Sequence, residues 1–210
     1  DGKANDSGTS NQLTPHLVEG IDGKVKDIVI EGYTVYAITE EGKLFSWGNN
    51  NKGQVGNNNN DEMTKSPQEL SIVGKIKKVF FSFNHTVYAV TEEGKLYAWG
   101  LNDKGQVGNG KSGDNLKQIE PHLVEGIDGK VKDIVSGPYT VFVITEEGKL
   151  YSWGLNNKGQ VGNGTDTGIQ KTPFNVNIVS KKVISVGYNT SDSVYAITED
   201  GYLYGCGYNG

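Results

Sequence analysis

The chain contains no arginine: all 20 of its Lys+Arg residues are lysine, set against 25 acidic ones for a net charge of −5. Nucleic-acid binding depends on phosphate neutralisation and favours the arginine fork, so this balance argues against it. A single cysteine, Cys206, excludes an internal disulfide framework and a cysteine-based zinc site. No apolar run approaches the roughly 20 residues that a membrane-spanning helix needs. No basic segment leads into an apolar one in the manner of a secretory signal. Sustained 3.6-residue periodicity is missing too, so helix should be scarce. What is plentiful is glycine, 30 of 210 residues, together with asparagine.

These residues are organised by a repeat. Trp47, Trp99 and Trp153 each close the same frame: Gly42-Lys43-Leu44-Phe45-Ser46-Trp47, Gly94-Lys95-Leu96-Tyr97-Ala98-Trp99 and Gly148-Lys149-Leu150-Tyr151-Ser152-Trp153. A fourth frame, Gly201-Tyr202-Leu203-Tyr204-Gly205-Cys206, carries cysteine in the tryptophan position, and the four are 52, 54 and 53 residues apart. Pro15, Pro67, Pro121 and Pro173 mark the same period. One domain over 1–210 follows, with units near 15–66, 67–120, 121–172 and 173–210.

Within a unit the pattern is that of strands. Val131 to Val135 is a short one, and Thr140 to Thr145 is an apolar, β-branched run suited to a strand buried on both faces. Glu146-Glu147-Gly148-Lys149 is a tight turn, Leu150 to Trp153 the return, and a proline-initiated strand is expected near Pro173 to Val179. Short antiparallel strands repeated about every 53 residues describe an all-β propeller of four blades. The tryptophans, and Tyr36, Tyr88, Phe142 and Tyr195 at one shared position, are then packing residues between blades.

The segment from Thr145 to Gly164, with its Trp153-Gly154 pair, its asparagines and Gly159-Gln160-Val161-Gly162, resembles the repeat of the regulator of chromosome condensation family. Gly53-Gln54-Val55-Gly56 and Gly105-Gln106-Val107-Gly108 repeat its last part. The resemblance implies a β-propeller, usually of seven blades, that presents loops on two faces to protein partners. It also implies a structural histidine before the second strand of each blade. Only His85 matches, with Tyr33 and Tyr139 standing in elsewhere.

Four blades at a seven-blade rotation sweep only about 206°. Three outcomes remain open: a tight four-blade ring, a strand-exchanged dimer of eight blades, or part of a longer propeller. We favour the third, because the sequence opens at Asp1 and stops after its fourth Trp-Gly-type strand. Residues 1–19 would supply the strand that completes the last blade.

No catalytic constellation emerges. His16, His85 and His122 lie in different units and share no metal-ligand spacing. The paired acids Glu40-Glu41, Glu92-Glu93, Glu146-Glu147 and Glu199-Asp200 recur at every hairpin turn. They read as a solvated acidic ring able to attract a basic partner. The glycine loops do not open a helix and so are not phosphate loops; their glutamines should hydrogen-bond the loop backbone. Cys206 reads as a small buried packing thiol. No cofactor and no metal is expected.

The segments that differ most between units are the candidates for partner contact. They carry Asn57, Asn58, Asn59, Asn60, Asp61 and Glu62 in the first unit. Lys111, Asp114 and Asn115 are their counterparts in the second, and Asp166 and Thr167 in the third. The expected function is a non-enzymatic protein-interaction module. Lysine in place of arginine and abundant asparagine suit a secreted or surface protein of a bacterium, acting as a binding or inhibitory module. Self-assembly by strand exchange is the alternative. Guanine-nucleotide exchange, the family's namesake role, lacks the basic tails and projecting wedge it would need.

Overall fold

The computed structural model describes residues 14–178, 180–189 and 191–208, and among them there is no helix. Fifteen strands form four antiparallel sheets in chain order. Blade 1 is β1 (Val25–Glu31), β2 (Thr34–Thr39), β3 (Leu44–Asn49) and β4 (Met63–Glu69). Blade 2 is β5 (Ile76–Phe81), β6 (Thr86–Thr91), β7 (Leu96–Leu101) and β8 (Lys117–Leu123). Blade 3 is β9 (Val131–Ser136), β10 (Thr140–Thr145), β11 (Leu150–Leu155) and β12 (Ile169–Val176). Blade 4 has β13 (Val183–Tyr188), β14 (Ser193–Thr198) and β15 (Leu203–Gly207).

The core lies between sheets rather than within them. Each of three buried clusters takes residues from two consecutive blades: Tyr36, Ile38 and Leu44 meet Ile76, Val79 and Trp99, for example. This is why β6 and β10 are buried along their whole length, and why their runs do not alternate. The first strands lie innermost, where Ser136 Oγ of β9 donates to the Phe81 carbonyl of β5 at 3.1 Å. Each first strand carries one bulge, at Lys26, Lys77, Lys132 and Ile184.

The prolines occupy a different place from the one expected. Pro67, Pro121 and Pro173 lie inside the outer strands, where the ladder with the third strand is interrupted. Proline has no N–H to give, so it fits where no ladder bond is required. The outer strand of blade 3 therefore begins at Ile169, four residues before Pro173. It follows that the sequence units at 66/67, 120/121 and 172/173 are cut through outer strands, and each blade ends a few residues later.

Residues 14–19, Pro15 to Glu19 among them, form no strand, and β15 has no outer partner among the described residues. Residues 1–13, the rest of the segment expected to complete blade 4, lie outside the described residues. The two end faces are apolar and exposed. On blade 1 these are Val25, Ile28 and Ile30; on blade 4 they are Tyr195, Ile197 and Leu203. Tyr195 is 48% exposed, whereas Tyr36, Tyr88 and Phe142 at the same position are buried, so it does not pack between blades as expected.

Candidate interaction face and the pins between blades

Every junction between consecutive four-stranded blades is held by the same backbone pins. The carbonyls of the hairpin glycines Gly42 and Gly94 accept from the first residue of the next blade, Ile76 N and Val131 N, at 2.8 and 2.9 Å. Gly148 does the same for Val183 N at 2.8 Å. A Cβ on Gly94 would lie 2.5 Å from Lys130 Cβ, and the residue has φ +80°. Only glycine suits both the left-handed backbone and the close approach.

The Gly-Gln-Val-Gly loops supply a second pin. Trp99 Nε1–H donates to the Gln54 carbonyl of the preceding blade at 2.8 Å, and Trp153 to that of Gln106 at 2.8 Å. The same two carbonyls accept from Tyr36 and Tyr88 of their own blades, the latter at 2.9 Å. Burial pushes both phenols well above their usual range and keeps them as donors. As expected, the glutamine side chains bond the loop backbone: Gln54, Gln106 and Gln160 Oε1 accept from Lys52, Lys104 and Lys158 N at 2.7–2.8 Å. Asparagines of the same repeat, to which the sequence assigned no role, complete the loop. Asn50, Asn102 and Asn156 Oδ1 each accept from the valine N–H at 3.0 Å. The cue was present in sequence, because each asparagine follows its Trp-Gly pair at the same distance.

Antiparallel order places the first-to-second-strand turns and the third-to-fourth-strand loops at one end of every blade, so they share a face. Asn58 has φ +58° and its N–H donates to the Ile119 carbonyl of blade 2 at 2.8 Å. Asn59 Nδ2 donates to Asp61 Oδ2 at 2.7 Å, and Asn50 Nδ2 to the Asn59 and Asp61 carbonyls at 3.0 Å. The Glu62 carbonyl accepts from Asn50 N at 2.8 Å. Asn57 is half-buried, with Nδ2 on Thr64 Oγ1 at 3.2 Å, while Asn60 is exposed. In blade 2 the Lys111 carbonyl accepts from Asn102 Nδ2 at 3.1 Å. Asp114 is exposed and Asn115 takes φ +56°. Asp166 and Thr167 are exposed on blade 3. The eleven residues thus share a face but do not converge, since each loop sits over its own blade and those of blades 1 and 2 lean onto the next. The first loop is internally braced rather than slack.

Two aromatic side chains that the sequence reading did not select stand on this face, Tyr33 (83% exposed) and Phe83 (81%). His85 is exposed with φ +60°; its carbonyl accepts from Leu101 N, and no bond of its ring joins two strands. That departs from the structural role between strands that the resemblance implies for this histidine. A left-handed residue in a turn directs its side chain outward, away from the ladder.

On the opposite face the acidic hairpins are interleaved with lysine. Lys43 reaches Asp22 at 2.8 Å and Glu69 at 3.4 Å, Lys181 reaches Asp200 at 2.6 Å, and Lys182 reaches Glu199 at 3.8 Å. Lys181, by hydrogen-bonding Asp200, holds that carboxyl below its ordinary range. The result is a mixed-charge rim rather than a uniform acidic ring. Among the described residues no three His, Cys, Asp or Glu side chains gather as metal ligands would.

Comparison with known proteins bears on the whole repeat. A family model described as "Regulator of chromosome condensation (RCC1) repeat" matches residues 41–89, 93–144 and 147–189, and a second model of that repeat matches 25–54, 76–106 and 131–160. The chain is 31% identical over 211 residues to the Ultraviolet-B receptor UVR8 of Arabidopsis thaliana, covering 99% of this chain and 47% of that protein. It is 32% identical over 200 residues to the E3 ubiquitin-protein ligase HERC2 of Homo sapiens, covering 92% of this chain and 4% of that protein. The crystal structure of Prp20p from Saccharomyces cerevisiae, described with its binding to Gsp1p and histones, superposes with a TM-score of 0.72 at 23% identity. That match covers 92% of this chain and 48% of the other. The chain spans less than half the length of each.

Proposed function

Because the chain belongs to the regulator of chromosome condensation (RCC1) repeat family, we propose that it is a protein-interaction propeller module with no catalysis of its own. One observation carries this. The residues copied from blade to blade are consumed in pinning blades together, while the segments that differ are gathered on one face beside Tyr33 and Phe83. That division is what a rigid scaffold with partner-specific loops requires. A secreted or cell-surface bacterial setting accords with lysine in place of arginine and with the abundance of asparagine. It leaves the partner to be a protein rather than a nucleic acid.

The test is capture of partners from the native organism by three forms of the chain. These are the unaltered one, one with residues 57–62 replaced by Gly-Ser, and one with residues 111–115 replaced likewise. At least one replacement should reduce capture about tenfold or more, a loss of about 1.4 kcal/mol. Equal capture by all three removes these loops from the binding surface. Guanine-nucleotide exchange is the weaker reading, and an exchange assay with small GTPases is expected to show no acceleration.

The exposed end faces support a second reading, in which other blades cover them. Val25, Ile28 and Ile30 occupy the positions at which Ile76, Val79 and Phe81 pack onto blade 1. Leu203 and Ile197 match Leu44 and Ile38 on the other side of that junction. These are two halves of one kind of interface, so further blades of a longer parent or a second copy of the chain would fit them. Sedimentation of the 210-residue chain across a hundredfold range of concentration should show association. A monomer throughout would exclude the second copy.

A further inference from the structure

Blade 4 leaves groups of blade 3 without the partners that their counterparts have in blades 1 and 2. Where Trp99 and Trp153 each lay an indole N–H on a glutamine carbonyl, blade 4 carries Cys206, expected as a buried packing thiol but found exposed. A second such group is the backbone N–H that follows each Gly-Gln-Val-Gly-Asn run. Asn58 N donates to the Ile119 carbonyl of blade 2 at 2.8 Å, and Gly110 N to the Lys171 carbonyl of blade 3 at 3.0 Å. Both acceptors lie in the outer strand of the next blade, just before its proline. Blade 4 has no outer strand among the described residues, and Gly164 N has no acceptor among them.

The residue before Gly164 is Asn163, so this N–H belongs to an asparagine-glycine pair. Gly164 is exposed, and nothing lies within 4 Å of where a Cβ would stand. The amide of Asn163 is also primed for attack. Its Oδ1 accepts from Asn156 Nδ2 at 3.0 Å, Thr165 N at 3.1 Å and Thr165 Oγ1 at 2.8 Å. Donors fixed on a carbonyl oxygen stabilise the negative charge that arrives there when a nucleophile adds to its carbon. Asn109-Gly110 is the same pair in blade 2, but Asn109 Oδ1 has only Asn102 Nδ2 at 3.0 Å and Lys111 N at 3.1 Å. Two pairs identical in sequence therefore differ in the freedom of the glycine N–H and in the number of donors on the amide oxygen.

We propose that Asn163 is a site of spontaneous deamidation, and that the outer strand of blade 3 protects Asn109 from the same reaction. Gly164 N loses its proton to solvent hydroxide and attacks Asn163 Cγ. The new C–N bond forms while Oδ1 holds the negative charge. The Cγ–Nδ2 bond then breaks, and Nδ2 leaves as ammonia with a proton from water. A second water opens the cyclic imide at either carbonyl, which gives aspartate or isoaspartate. Asn109 cannot follow this course until the bond from Gly110 N to the Lys171 carbonyl is broken. The product at position 163 no longer donates to Gln170 Oε1, which Asn163 Nδ2 reaches at 3.4 Å. It also adds a negative charge to the loop that carries Asp166 and Thr167, so the modification alters one of the candidate contact loops.

The test incubates the folded chain in mildly alkaline buffer and follows both asparagines by peptide mass mapping. Labelling by an isoaspartate methyltransferase is the second readout. Asn163 should convert at least about tenfold faster than Asn109. In denaturing urea the two should convert at similar rates, because the local pair is the same and the protecting strand is gone. Thr165→Val removes one donor from Oδ1 and should slow Asn163 about threefold, with Asn109 in the same sample as the internal standard. Equal rates in the folded chain, faster conversion at Asn109, or a difference that persists in urea overturns the proposal. An unaltered rate in Thr165→Val overturns the role given to its hydroxyl.

Discussion

Trp153→Ala is expected to lower stability by about 3–5 kcal/mol, the range for truncating a fully buried tryptophan. The side chain is 0% exposed and packs across the junction of blades 2 and 3 with Tyr88, Val107 and Val124. Its loss would leave a cavity and also strip the Gln106 carbonyl of a donor. Because each blade contacts chiefly its neighbours, weakening one junction also lowers the coupling along the array. Denaturant unfolding should therefore broaden as well as shift to a lower midpoint. Trp47→Ala is the matched control. Trp47 is half-buried and donates to no glutamine carbonyl among the described residues, so its truncation should cost about 1–2 kcal/mol. Equal losses for the two variants would show that the indole pin contributes nothing beyond ordinary burial.

Gly94→Ala should be nearly as damaging, about 3–4 kcal/mol, for a different reason. A side chain there must adopt φ +80° and place its Cβ 2.5 Å from Lys130 Cβ and 2.8 Å from Lys130 Cα. The backbone penalty alone is about 1–2 kcal/mol. The rest arises because blade 3 would have to move away and stretch the bond from Val131 N to the Gly94 carbonyl. Gly201→Ala separates the two contributions. Gly201 has φ +84° but nothing within 4 Å of its would-be Cβ, so only the backbone penalty applies. Thermal or denaturant unfolding of both variants measures the difference. Similar losses would mean that the approach of the next blade is easily relaxed.

Some features of the site were open to sequence reading and others were not. The loops at 57–62, 111–115 and 166–167 stand out because a near-copied unit makes any departure visible, and all lie on one face. The bracing of the first loop by Asn50 was not visible, since it depends on which carbonyls the folded loop turns toward that amide. Tyr33 read only as a stand-in for the family's histidine and Phe83 carried no signal of its own, because their exposure is a property of the face they stand on.

The sequence alone determined the all-β architecture, the four-fold repeat, the second and third strands of each blade and the glycine hairpins. These rest on local chemistry: β-branched runs, glycine at positive φ, and a period that repeats within the chain. Only the tertiary structure decided what lies between blades. Trp153 and Gln106 are 47 positions apart, and nothing local marks a backbone carbonyl as the acceptor of a distant indole. Prolines that look like strand starts proved to sit in interrupted ladders, because the partner strand sets where a missing N–H is tolerated. The exchange of tryptophan for cysteine at position 206 reads in sequence as a conservative packing change. In the fold an apolar cavity of about 210 Å³ lies beside Cys206, lined by Phe142, Leu150 and Val194 among others, a property of how two blades meet and not of any local segment.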